Sequence, residues 1–396
     1  MLRMRLAARM EDIGTETAFE AAARARELEA TGRDVIHLEI GEPDLDTPAF
    51  IRDAAKRALD EGWTHYAPPN GLPQLREAIA ADASRRKGFP ADPDRVVVTP
   101  GAKPIMFYAM LALVEAGDEV IYPDPGFPIY ESMARYVGAT PRPIALRQEN
   151  GFRLDTDELR SLVSDRTRLI IFNSPHNPTG SVLGREEIEA IADLARERDI
   201  VVLADEIYGR ILYEGEHVSI AALPGMAERT IVLDGFSKTY AMTGWRLGYA
   251  ILPEPLVLPY SRLIINSVSC TSSHAQMAAV EALTGPQDEV EAMVEEFRAR
   301  RDLIVDGLAA IPGIECLRPQ GAFYVFPDIS GTGLDGSQLA ERLLHEAGVC
   351  VLAGTAFGRR GTDHVRLSYA NSRQNLSTAL ERIAGVVAGL RSTAPA

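Results

Sequence analysis

Between residues 95 and 251 short apolar runs alternate with helical patterns, and few architectures accept such a chain. RVVVTP (95–100) is β-branched and leads into AKPIMFYAMLALVEAG, which reads as a helix. DEVIYPDP reads as a strand and PIYESMARYVG as a helix. RLIIFNSP and IVVLADEIY are apolar strands on either side of the helical REEIEAIADLARERD, and TIVLDGFSK and WRLGYAIL complete the series. Strands apolar on both faces, with helices between them, call for a mostly parallel sheet covered on both sides. Right-handed crossovers follow. PQDEVEAMVEEFRARRDLIVDGLAAIPG (286–313) is a long amphipathic helix stopped by Pro312 and Gly313. It bridges into a second domain made of the strand GAFYVFPDI, the helix SQLAERLLHEAG, the strand HVRLSYA and a last helix from about residue 372. A helix over residues 18–32 packs with that domain.

Bulk properties narrow the function. A formal net charge of -15 opposes binding to a nucleic-acid backbone. Cys270, Cys316 and Cys350 are odd in number and show neither CxxC nor Cys/His spacing, so no disulfide framework and no metal site is expected. Arg3, Arg5 and Arg9 are followed at once by Glu11 and Asp12 without an apolar core, which argues against a targeting peptide. No stretch approaches the ~18 apolar residues of a membrane span. A cytoplasmic protein is the expectation.

Open parallel sheets bind ligands beyond the carboxyl ends of their strands. Here those ends carry Gly101, Asn173 to Gly180, Asp205, Tyr208 and the pair Ser237-Lys238. In GAKPIMFYAM a glycine turn opens a helix with Pro104 in its first turn, which leaves main-chain donors for an anion. Asp205 in DEIY follows a buried strand. It could cap a helix, hold a metal or face a protonated heterocyclic nitrogen. GFSKTYAMTGWRLGY (235–249) frames Lys238 with small hydroxyl residues and adds Arg246. Walker, GxSxG and HExxH patterns are absent. A lysine able to form a Schiff base, an arginine beside a helix N-terminus and an acid for a ring nitrogen together describe pyridoxal 5'-phosphate.

In these motifs the chain resembles the class I/II pyridoxal-phosphate aminotransferases of the aspartate aminotransferase fold type. It is closest in pattern to the bacterial aspartate aminotransferase branch. IGEPDLDTP, YAPPNGLPQLREAIA, PGAKPIMF, NSPHNPTG, DEIY, SKTYAMTGWRLGY, GAFY and HVRLSYA occur in the family's order over nearly the whole chain. The resemblance implies an α/β protein. Residues 48–285 would form a large domain with a mostly parallel, seven-stranded-type sheet between helices. A smaller α+β domain would be built from an N-terminal arm (1–47) and from residues 286–396, which begin with the interdomain helix.

The resemblance also implies roles for individual residues. Lys238 would carry the cofactor and move the substrate proton, and Asp205 would pair with the ring nitrogen. Tyr208 and Asn177 would hydrogen-bond the ring's phenolic oxygen, and Phe127 would lie on the ring face. Gly101, Ala102, Lys103, Ser237 and Arg246 would hold the phosphate. Arg366, with Gly41 beside it and Asn177 near, would grip the substrate carboxylate. Tyr66 would reach the phosphate of a second subunit, implying a homodimer with shared sites. The implied reaction is ping-pong transfer of an amino group from an L-amino acid to a 2-oxo acid. A lyase performing β- or γ-elimination on the same fold is the alternative. Two positions depart from the family pattern. Gly235 stands where many relatives have serine, and Phe127 where Trp or Tyr is usual. In one branch a lysine at the position of Lys103 is linked to a distal substrate carboxylate, whereas Glu16, if it points inward, would repel one.

Overall fold

The computed structural model describes residues 4–392; Arg3 and the outer ends of segments 1–47 and 286–396 lie outside the described residues. The alternating region folds into one seven-stranded sheet. Its strands are β1 (Val96–Thr99), β2 (Glu119–Asp124), β3 (Thr140–Ala145), β4 (Thr167–Asn173), β5 (Val201–Asp205), β6 (Thr230–Gly235) and β7 (Gly248–Ile251). Their spatial order is β1-β7-β6-β5-β4-β2-β3. All neighbours pair in parallel except at β7, which is antiparallel to both β1 and β6. The reason lies in its connection. A parallel return needs a crossover, usually a helix, whereas residues 236–247 form a short loop that folds straight back.

Side-chain alternation feeds two cores from each strand. Leu203 of β5 packs into one cluster with Leu169 and Leu233, while Val202 and Ala204 face another with Ile170 and Ile188. Both faces are therefore buried, as the continuous apolar runs require. β4, β5 and β6 succeed one another in space as in sequence, whereas β2 and β3 lie on the far side of β4. Polar residues at the carboxyl ends of β4 to β6 thus cluster at a change of winding direction, where a crevice forms.

A smaller α+β unit flanks this sheet. Helix Thr17–Glu29 packs near Val349–Cys350 and Leu352–Ala353, and Ile36–His37 pairs in parallel with Val349–Cys350. Leu352–Ala353, Val365–Ser368 and Tyr324–Val325 form an antiparallel sheet. Helix Asp288–Ala309 enters this unit and packs on the last helix, Arg373–Ser392. Two elements are shorter than their patterns predict. Regular pairing in GAFYVFPDI stops at Val325, just before Pro327, which has no N–H to donate. SQLAERLLHEAG is α-helical only over Gly336–Arg342 and widens to a π-turn over Leu343–Ala347.

Candidate active site

A cleft of about 520 Å³ opens at the carboxyl ends of β4, β5 and β6. Lys238 lies in the loop after β6, and its amine donates to the carbonyl of Gly41. Surrounding protein atoms push its pKa down to about 8; the Arg366 and Lys103 charges add to this, and Glu42 and Glu16 oppose it. Asp205 ends β5 and is 3% exposed. Burial pushes its carboxyl up to about 7, against the pull of two donors. These are the Tyr130 hydroxyl at 2.7 Å and the Ile207 amide at 3.3 Å. An amine below its usual value and an acid above it thus open on one cleft, an arrangement typical of catalytic sites.

Asn173, the last residue of β4, ties the next turn to this acid. Its side chain donates to the Asp205 carbonyl (2.9 Å) and accepts from the Asn177 amide (2.8 Å). Tyr208 is buried with its hydroxyl 2.8 Å from that of Tyr324. The same Tyr324 hydroxyl leaves no room for a side chain at Gly41.

Arg366 comes from the antiparallel sheet and is 3% exposed. Its guanidinium lies 4.6 Å from the ring centroid of Tyr324 and 5.0 Å from that of Phe357. It donates to the Glu39 carbonyl and, at 3.4 Å, to the Asn177 side chain. Among the described residues its Nε has no acceptor, and it is fully buried. A buried guanidinium N–H without a partner is costly, and a carboxylate ligand would supply one.

At another part of the wall, Gly101 adopts φ +86°. A side chain there would run into the Arg246 guanidinium. The turn leads through Ala102 into helix Lys103–Leu113, whose first amides have no acceptor within the helix. Ser237 is buried nearby on the cleft wall. Phe127, edge-on to Tyr130 at 5.8 Å, lines the cleft with Lys103, whose ammonium lies 5.8 Å from its ring. Every candidate therefore lines one cleft except two. Gly101 sits directly behind Arg246, and Tyr66 is 90% exposed on a separate shallow surface with His65 and Cys270.

Several contributors lack a legible sequence signal. Tyr130 and Tyr324 stand inside recognisable motifs, yet their partners are distant in the chain. Beneath Asp205 lies a buried charge cluster. Lys87 Nζ is 2.6 Å from Glu206 and 2.8 Å from Asp234, and Ser219 donates to Glu206 at 2.7 Å. Burial alone would push Glu206 up, but Lys87 and His217 outweigh it and hold its carboxyl below the usual range. Lys87→Met removes the shared cation from two buried carboxylates and is expected to lower stability by about 3–5 kcal/mol. Denaturant titration checks this; an unchanged midpoint would show that the cluster is hydrated or protonated instead.

The family profile of aminotransferase class I and II matches residues 33–383. The chain is 43% identical to an aspartate aminotransferase of Pyrococcus horikoshii, covering 93% of this chain and 94% of that one. It is 42% identical to an arginine–pyruvate transaminase of Pseudomonas aeruginosa, covering 92% of each. A solved structure of an aspartate aminotransferase from Thermus thermophilus with maleate superimposes with a TM-score of 0.92 at 42% identity, over 97% of this chain and 100% of that one. The chain belongs to the class I and II aminotransferase family, and it is an enzyme of amino-group transfer.

Proposed function

We propose that the cleft holds pyridoxal 5'-phosphate and transfers an amino group from an L-amino acid to a 2-oxo acid. The observation that carries this reading is the pair of shifted groups, Lys238 and Asp205, opening on one cleft from adjacent strands. The fit is supported by two further features: the buried N–H of Arg366 that lacks an acceptor, and the space kept at Gly101 for the Arg246 guanidinium.

When bound, the cofactor supplies an aldehyde that captures amines and a ring that withdraws the electrons left as a substrate proton departs. The remaining work falls to the chain. With a pKa near 8, the Lys238 amine is substantially neutral at mildly alkaline pH and able to attack a carbonyl. The same amine would be placed to take and return the substrate Cα proton. Asp205 would pair with the ring nitrogen; its carboxylate would favour a proton there and be stabilised in turn by the resulting charge. Tyr208 and Asn177 would orient the ring oxygen, and Phe127 would cover the ring. Arg246, Ser237 and the main chain of Gly101, Ala102 and Lys103 would hold the phosphate through directed donors and a helix N-terminus. Arg366 clamps the substrate carboxylate, with Gly41 beside it. Tyr66, exposed and remote from its own cleft, suits a homodimer in which it completes the neighbouring site. The locale is proposed as cytoplasmic. The names of the relatives lend no support to an elimination lyase.

Arg366→Ala is expected to raise KM for amino acid and oxo acid roughly 10–100-fold, about the worth of one charged hydrogen bond. Absorbance of the bound cofactor should stay unchanged. Loss of that absorbance in the variant would move Arg366 out of the substrate subsite.

A further inference from the structure

We infer that Glu16 sets the side-chain preference of this cleft: by engaging Lys103 internally it directs the enzyme to amino acids with an uncharged side chain and against those with a second carboxylate. The inference rests on the proposed placement of Arg366 at the substrate carboxylate and of Lys238 at the reacting carbon. Among the described residues, four cations line the cleft, namely Lys103, Lys238, Arg246 and Arg366. The last three are committed to the reacting amine, the phosphate and the α-carboxylate. Lys103 is the one left for a distal carboxylate, and it is taken. Its ammonium is ion-paired with Glu16 and lies 5.7 Å from the ring of Phe19 and 5.8 Å from that of Phe127.

The two partners are not equally exposed. The Glu16 side chain is 16% accessible and that of Lys103 46%, so the carboxylate is the inward member. Its charge bears on Lys238, Arg366 and Tyr324, which places it within electrostatic reach of the interior of the cleft. A substrate with a second carboxylate must open this pair. It then meets the less exposed Glu16 carboxylate, newly unpaired, as a like charge. An uncharged side chain meets a neutralised pair and the apolar surfaces of Ala18, Phe19, Ile40 and Phe127.

Two unreactive ligands separate the possibilities: succinate, with a carboxylate at each end, and butyrate, with one. Each is titrated into the cofactor-loaded protein and followed by calorimetry. The native protein should bind succinate no more tightly than butyrate. Glu16→Gln should tighten succinate about tenfold, or ~1.4 kcal/mol, with butyrate unchanged. Adding Lys103→Met to Glu16→Gln should abolish that gain. Succinate bound tenfold more tightly than butyrate by the native protein, or a Glu16→Gln variant with unaltered succinate affinity, would overturn the inference. Turnover of uncharged amino acids by the native protein is scored separately. Its absence alongside the succinate gain would overturn the catalytic roles and uphold Glu16 as the selective element.

Discussion

Lys238→Ala is expected to lower amino-group transfer by at least roughly 10³-fold, within the range that a positioned acid–base group contributes. The change removes both proposed functions of the amine, the attack on the cofactor aldehyde and the movement of the substrate proton. Its neighbours cannot replace it. The other cations of the cleft, Arg246, Arg366 and Lys103, are a guanidinium on Gly101, a guanidinium held by Glu39 and an ammonium engaged by Glu16. Two measurements check the outcome. Borohydride should fix pyridoxal phosphate covalently to the native protein and not to the variant, and steady-state turnover should collapse with it. Covalent fixation on the alanine variant would assign the attachment to a different amine.

Asp205→Asn is expected to separate function from stability. Removing the charge proposed to face the ring nitrogen should lower turnover by roughly 10²–10³-fold, as for other preorganised electrostatic groups. In the cofactor-free protein the same change should stabilise the fold. Burial pushes Asp205 from its ordinary value of 3.8 to about 7. Between those values the folded chain holds a proton that the unfolded chain has released, so stability falls as pH rises through this window. Above pH 7 the penalty is complete, and below about pH 4 it vanishes. Asparagine carries no such penalty and keeps an oxygen for the Tyr130 hydroxyl. Cofactor-free melts should therefore favour the variant at pH 8 by up to about 4 kcal/mol, with the difference closing toward pH 4. A variant that melts below the native protein at pH 8 would sink this account.

The layout of the cleft was legible where chemistry coincides with a local pattern. Apolar runs that end in polar residues mark Asn173, Asp205 and Ser237-Lys238 as one edge of a parallel sheet, and the sheet places them there. A glycine followed by a proline-containing first turn likewise marks the helix at Lys103. What escaped was tertiary pairing. Tyr130 lies 75 positions from Asp205, Tyr208 lies 116 from Tyr324, and Arg366 reaches the Glu39 carbonyl across 327. Such contacts have no periodicity, because they arise only when separate elements pack. The direction of β7 and the inward turn of Glu16 were hidden for the same reason: both depend on how a short connection settles against its surroundings.

The antiparallel pairing of Ser368 with Tyr324 has a mechanical consequence. One ribbon bears the guanidinium of Arg366 and also the phenol that touches Tyr208. Any shift of this ribbon must carry the aromatic contact with it. The guanidinium and the phenol therefore ride on a single hydrogen-bonded unit and change position together.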